Sequence, residues 1–180
     1  MYSSRGEQVW GHVLTGDFHV RGDQDFRLKL LEAAMDRLGA ANTLDEIIAI
    51  VRSTARSVCS ADGVTFVLRD NGKCHYIEED AIGPLWKGQK FPMETCISGW
   101  CMTNSATAAI EDIFQDPRIP HDVYRKTFVN SLVMVPVGGA EPVAAMGTYW
   151  RDKRAFTDQD VATVETLAAA VSAAMRRIAA

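Results

Sequence analysis

The chain has 180 residues, 47% hydrophobic and 23% charged, so it can bury an ordinary core and is excluded from the disordered class. A net charge of −4 and a pI near 5.5 argue against nucleic acid or an anionic membrane as partner. No apolar run approaches the ~20 residues of a membrane helix, the start MYSSRGEQVWGHVLTGDFHV has no signal-like apolar segment, and four cysteines without a CxxC pair point to a reducing cytoplasm.

Residues 1–23 show no period, and Gly6, Gly11, Gly16 and Gly22 interrupt any helix. They are expected to form an arm, partly ordered at best, that packs Trp10 or Phe18 on a neighbour. Residues 24–180 are expected to be one domain. Leu28, Leu31, Met35 and Leu38 recur at helical spacing from Asp25 onward. Thr43 and Glu46 form a capping box for a second helix that buries Leu44, Ile47, Ile48, Val51, Ala55 and Val58. Cys59 closes that stripe as a small core residue.

A strand from Gly63 to Arg69 turns at Asn71-Gly72, whose left-handed preference suits a type I′ hairpin, and returns over Lys73 to Glu78. Residues 81–90 are broken by Gly83, Pro84 and Gly88 and are expected to be a loop with a helical turn over a pocket mouth. A short helix from Glu94 to Met102 and a strand from Thr107 to Ile113 follow. Pro117 and Pro120 enforce a loop. Asp122 is expected to cap a helix reaching Val129. Strands over 131–137 and 143–150 are joined by a Gly138-Gly139 turn. Thr157 and Asp160 cap a terminal helix whose Val161, Val164, Ala168, Val171, Met175 and Ile178 form a heptad seam.

Four segments carry a family resemblance: Ile97-Ser98-Gly99-Trp100, Ile110-Glu111-Asp112-Ile113, Asp116-Pro117-Arg118-Ile119-Pro120 and Ser131 to Val137. The chain resembles a GAF domain, the sensor module common in bacterial signalling proteins such as sensor histidine kinases, over roughly residues 28–178. The resemblance implies an α/β (α+β) fold. A central antiparallel sheet of five or six strands would have the terminal helices on one face and a ligand pocket on the other.

The resemblance places ligands between the sheet and the segments around 112–128. The ligand-binding candidates are Cys74, Trp86, Cys96, Trp100, Asp112, Arg118, His121, Tyr124, Arg125 and Phe128. Arg can grip a planar anion and His can sense pH. The aromatics Trp86, Phe91, Trp100, Tyr124, Phe128 and Tyr149 suggest an enclosed apolar cavity. Tyr124 and Phe128 are expected to share one helix face. Cys96 and Cys101 lie about 140° apart on a helix, and Cys74 and His75 point to opposite faces of a strand, so no metal pair is expected.

A covalent bilin is not expected, because residues 112–131 contain no cysteine, and the cofactor is unknown. Cys101 matches one cysteine of the GAF subset that reduces free methionine sulfoxide, but the segment before Ser131, near Arg125, lacks another. The leading expectation is a non-enzymatic cytoplasmic sensor of a small molecule or redox state, with no catalytic residue. It would act as a homodimer through its terminal helices, with a histidine kinase or other two-component signalling partner. The alternatives are a thiol-dependent reductase of methionine sulfoxide type and a dimerisation scaffold with a filled pocket.

Overall fold

The computed structural model describes residues 14–180, with side chains from residue 22 onward. Helix α1 (Leu14–Ala40) begins well before Asp25, so the last part of the expected arm is helical, with Gly16 and Gly22 inside it. Each costs only about 1 kcal/mol relative to Ala, which a long helix tolerates. The expected docking of Trp10 or Phe18 lies outside the described side chains. Helix α2 (Leu44–Val58) is capped by Thr43, whose Oγ1 accepts from Glu46 N at 3.2 Å. Glu46 reaches back one residue further than expected and accepts from Asn42 N at 2.6 Å. The buried face of α2 is Ile47, Ile50, Val51, Ala55 and Val58; Leu44 and Ile48 are only half-buried.

Strands β1 (Gly63–Asp70) and β2 (Lys73–Ala81) form the hairpin, with Asn71 at φ 50° and Gly72 at φ 76°. Both values are left-handed, as a type I′ turn requires. Strand β3 (Lys90–Pro92) pairs with β2 and is too short to be legible as a pattern. The expected helix over 94–102 splits into a 3-10 turn at Met93–Thr95 and helix α3 (Ile97–Asn104). Strand β4 (Ala108–Ile110) follows.

Helix α4 (His121–Tyr124) is a single turn, capped by Pro120 rather than Asp122, and stops well short of Val129. The Thr127 hydroxyl ends it by donating to Tyr124 O at 2.8 Å and accepting from Val129 N at 3.3 Å. Such local side-chain bonds compete with helix continuation. Strands β5 (Ser131–Val137) and β6 (Ala144–Trp150) and helix α5 (Asp158–Ala179) complete the fold.

The sheet runs β3-β2-β1-β6-β5-β4, antiparallel throughout. One core lies between this sheet and α1, α2 and α5; a second lies on the opposite face, under α3 and the connecting loops. This is the expected α/β arrangement, with six strands. A bulge between Phe66 and Val67 of β1 and their partners leaves Ile77 of β2 unpaired.

The terminal helices divide their apolar residues differently from the sequence expectation. On α5, Val164, Ala168 and Val171 of the seam are buried within the same chain, beside Leu167 and Ala174. On α1, Leu31 and Leu38 are buried, while Leu28, Met35 and Phe26 are 49%, 40% and 60% exposed. Arg177 of α5 donates to Leu38 O at 3.0 Å and to Ala41 O at 2.5 Å, tying the last turn of α5 to the end of α1.

Gly99 is where α3 presses closest on its neighbours. A Cβ there would lie 1.9 Å from Met93 O, which is backbone and cannot swing away. Gly99→Ala should therefore destabilise the fold by about 3 kcal/mol, at the upper end of overpacking costs. Urea unfolding followed by circular dichroism checks this, and Gly39→Ala, with nothing within 4 Å of the added Cβ, should show no such loss.

Candidate functional site

Alternation along β2 puts Cys74 and Tyr76 on one side of the sheet, away from the three long helices. Tyr76 meets Trp86 and Phe91 edge-on, each with ring centroids 5.6 Å apart. Trp86 also approaches Tyr124 at 4.7 Å and Tyr149 at 5.6 Å, so it sits at the centre of an aromatic cluster. The Tyr149 hydroxyl lies 2.8 Å from Thr65 Oγ1 and is satisfied within the core.

Trp86 is placed by a carboxylate. Glu79 accepts hydrogen bonds from the backbone N–H of Leu85 at 3.1 Å, Trp86 at 2.9 Å and Lys87 at 2.9 Å. Two strand-like bonds, Gly88 N to Tyr76 O at 2.7 Å and Tyr76 N to Gln89 O at 3.0 Å, fix the loop's return. Residues 82–89 form a loop without the expected helical turn, but it does cover the aromatic cluster.

Between these elements lies a cavity of about 110 Å³. Tyr76, Trp86 and Phe91 form one side; Thr95 and Cys96 come from the segment entering α3; Pro120, Val123 and Tyr124 come from the α4 turn. The lining is mainly apolar, with hydroxyl and thiol groups as its polar points. Burial pushes the phenols of Tyr76, Tyr124 and Tyr149 upward, so all three stay neutral donors.

Cys96 Sγ accepts from the Ser98 hydroxyl at 3.4 Å, and Ser98 Oγ lies 3.1 Å from the Tyr76 hydroxyl. Because Ser98 has one proton to give, Tyr76 donates to Ser98 in this arrangement. Cys74 is fully buried. The influence of Cys74 is the main cause lowering the Cys96 thiol, and that of Cys96 the main cause raising the Cys74 thiol; the Ser98 hydroxyl and Gly99 N–H also favour the Cys96 thiolate. The Cys96 Sγ lies 3.5 Å from Pro92 O and 3.9 Å from Met93 O. Cys96 makes no full side-chain cap on α3. Burial pushes Cys59 and Cys101 up to about 12, and Cys101 Sγ points at Met134 O at 3.5 Å.

Of the ten sequence candidates, Trp86, Cys96 and Tyr124 line this cavity, and Cys74 belongs to the same buried cluster without lining it. The others lie outside the lining. Arg118 makes a fork with Asp116, Nε to Oδ1 at 2.9 Å and Nη2 to Oδ2 at 2.6 Å, and stacks 4.3 Å from the centroid of Trp100. That pairing holds the Asp116 carboxyl below its usual range and occupies the guanidinium. His121 Nε2 lies 3.1 Å from Asp116 O. Asp112 pairs with Lys153 at 2.7 Å. Arg125 is exposed, near Asp122 at 3.7 Å.

Phe128 falls beyond the short α4 turn, so it does not share a face with Tyr124; it packs where Gly63 and Gly83 leave room. Tyr76 was findable, because it alternates with Cys74 on a predicted strand. Thr95, Pro120 and Val123 carried no comparable signal. Among the described residues, no three His, Cys, Asp or Glu side chains converge to hold a metal.

A family model for the GAF domain matches residues 41–176. The chain belongs to the GAF domain family. A search of curated proteins finds no match. Solved structures match its fold. The GAF domain of a phosphoenolpyruvate-protein phosphotransferase from Acinetobacter is 15% identical, with TM-score 0.71 over 84% of this chain and 94% of that one. The free methionine-R-sulfoxide reductase from Neisseria meningitidis, solved with its substrate, is 14% identical, with TM-score 0.72 over 87% and 92%. Residues 122 to 287 of a methyl-accepting chemotaxis protein are 21% identical, with TM-score 0.69 over 81% and 96%. At these identities the likeness is one of fold.

Two predictions follow from the cavity wall. Glu79→Ala removes the acceptor for three backbone N–H groups and should cost about 2 kcal/mol, since bonds to a charged partner contribute roughly 1.5–3 kcal/mol and exposed Lys87 N–H regains water. Tryptophan emission should shift to the red as Trp86 loosens; unchanged emission and stability would contradict the assigned role of Glu79. For the thiols, a lowered pKa means more thiolate at a given pH, with reactivity lost as pH falls. Iodoacetamide labelling of Cys96 should have its midpoint below the ~8.5 of an ordinary thiol, while Cys59 and Cys101 stay silent at neutral pH. Peptide mapping by mass spectrometry distinguishes the sites.

Proposed function

We propose that this chain is a non-enzymatic cytoplasmic sensor of a small molecule, whose ligand sits in the aromatic cavity beside Cys96. The aromatic cavity between sheet and loops is the observation that carries this reading. Its volume of about 110 Å³ is close to that of the ~150 Å³ apolar cavity known to hold benzene. The ligand is therefore a small, largely apolar molecule of single-ring size, with Thr95 or Cys96 offering the polar contact. The open volume disfavours a scaffold with a filled pocket.

Output runs through a homodimer built on α1. Leu28 and Met35, seven residues apart on one face, are its apolar surface, and two-fold pairing is the commonest way to cover such a face. A histidine kinase or other two-component partner of a bacterial signalling system would receive the signal. The GAF fold shared with a chemotaxis protein supports a signalling role.

A reductase of free methionine sulfoxide is the second reading, favoured by the fold of the Neisseria meningitidis enzyme. Cys101, its sequence-matched thiol, is fully buried and pushed up to about 12, which is poor for a nucleophile.

Phenol serves as the test ligand because it matches the cavity in size and polarity. Saturation-transfer NMR should show it bound, with Trp86→Ala and Tyr124→Ala each weakening binding at least tenfold, about 1.4 kcal/mol. Val123→Phe should block the cavity while leaving the other lining groups in place. Trp100→Ala and Arg125→Ala should bind like the parent. Binding unaffected by the three cavity substitutions would overturn the assignment. Turnover of methionine sulfoxide with a thiol reductant, lost on Cys101→Ser, would favour the enzyme.

A further inference from the structure

Helices α1 and α5 are tied at one end and parted at the other. Arg177 holds the end of α1, whereas nearer their starts the two helices flank a groove of about 400 Å³. Among the described residues it is lined by Gln24, Arg27, Leu28 and Leu31 of α1 and by Gln159 and Thr163 of α5. The α1 residues follow one another at three, one and three positions, which places all four on one helix face; Gln159 and Thr163, four apart, share a face of α5. The volume is in the range of small-molecule sites, and the mixture of apolar surface with a few polar groups is typical of them.

The charged group of the groove is Arg27. Its Nε is buried and has no hydrogen-bond partner among the described residues, while the side chain as a whole stays 23% exposed. Two carboxylates lie near it, and neither takes that proton. Asp23 Oδ2 is 3.7 Å from Nε, beyond hydrogen-bonding distance, on a side chain that is 66% exposed. Asp160, which feels the Arg27 charge, is already engaged: it accepts from Thr157 N at 3.0 Å and Thr157 Oγ1 at 2.8 Å and pairs with Arg154 at 3.3 Å. Thr163 Oγ1 donates its proton to Gln159 O at 2.8 Å and keeps only acceptor capacity, so the further donors are the two glutamine amides. A buried guanidinium N–H without an acceptor is costly, and a planar carboxylate is the group that matches its fork.

We propose that the groove between α1 and α5 binds a small organic carboxylate, gripped by Arg27, with Leu28 and Leu31 receiving its apolar body. The site lies on the helical face of the sheet, opposite the aromatic cavity, and does not rest on the reading of that cavity. A ligand held there bridges α1 and α5 at the end that Arg177 leaves untied, and so steadies the start of α1 against the rest of the domain.

Benzoate is the probe, and benzyl alcohol, close in shape but uncharged, is the control. Calorimetry on the full chain should show benzoate bound roughly tenfold or more tighter than benzyl alcohol, the range of charge-assisted hydrogen bonds. Arg27→Gln should remove that difference, with the fold retained by circular dichroism. Thr163→Phe, which fills the groove and keeps the guanidinium, should block both probes. Val123→Phe, which closes the aromatic cavity, should leave benzoate binding unchanged. Equal binding of the two probes, benzoate binding that survives both groove substitutions, loss of benzoate binding in Val123→Phe, or no binding at millimolar benzoate would each overturn the inference. Leu28 also belongs to the α1 face assigned to the dimer, so sedimentation accompanies the titrations. A dimer that takes no benzoate and dissociates on Arg27→Gln would assign the guanidinium to an acidic side chain of a second copy and overturn the ligand site. Phenol and benzoate report on separate sites, so the failure of either probe sinks only its own.

Discussion

The extra residue in β2 sets the geometry of the cavity. A strand alternates faces with period two, so a one-residue insertion exchanges the faces of everything beyond it. Before the bulge, Cys74 and Tyr76 face the cavity side; beyond it, Ala81 does so, while Ile77 packs towards the long helices. The same change lets Glu79 reach the backbone of the covering loop and lets Asp80 pair with Arg56 of α2 at 3.2 Å. Without the bulge, the carboxylate that holds Trp86 and the tyrosine that Trp86 packs on would face opposite ways. The aromatic cluster therefore depends on a break in register rather than on a continuous ladder.

The polar loop from Asp112 to Asp122 has a different role from the one its composition suggests. Its charges are largely satisfied among themselves and with Lys153, through the Asp116–Arg118 fork and the Asp112–Lys153 pair. Arg118 closes over Trp100 rather than over the cavity. The loop instead presents Pro120 and Val123 inward, so its contribution to the lining is shape and apolar surface. Rigid, internally paired loops of this kind hold a pocket wall without offering charge to its occupant.

Most of the fold was legible in the sequence. The hairpin at Asn71-Gly72, the Thr157 cap, the Gly138-Gly139 turn and the two apolar strands each rest on local chemistry that the structure reproduces. Less legible were features decided by tertiary context. The α4 helix was overestimated because Thr127 competes for its last carbonyl. The β3 strand exists only because β2 offers it an edge. The α5 seam has the spacing of an intermolecular coil, but the sheet buries it within the chain. In the cavity, aromatic residues near sequence motifs were found, whereas Thr95, Pro120 and Val123 are placed by backbone path alone.

The tie between Arg177 and the end of α1 gives that helix an unequal mechanical anchorage. Among the described side chains of this helix the buried ones are Leu31, Ala34 and Leu38, towards the end where Arg177 holds two carbonyls. From Leu38 back to Leu14 the helix runs about 36 Å at 1.5 Å per residue. Over that length a tilt of about 10° about the tied end would displace the start of the helix by roughly 6 Å.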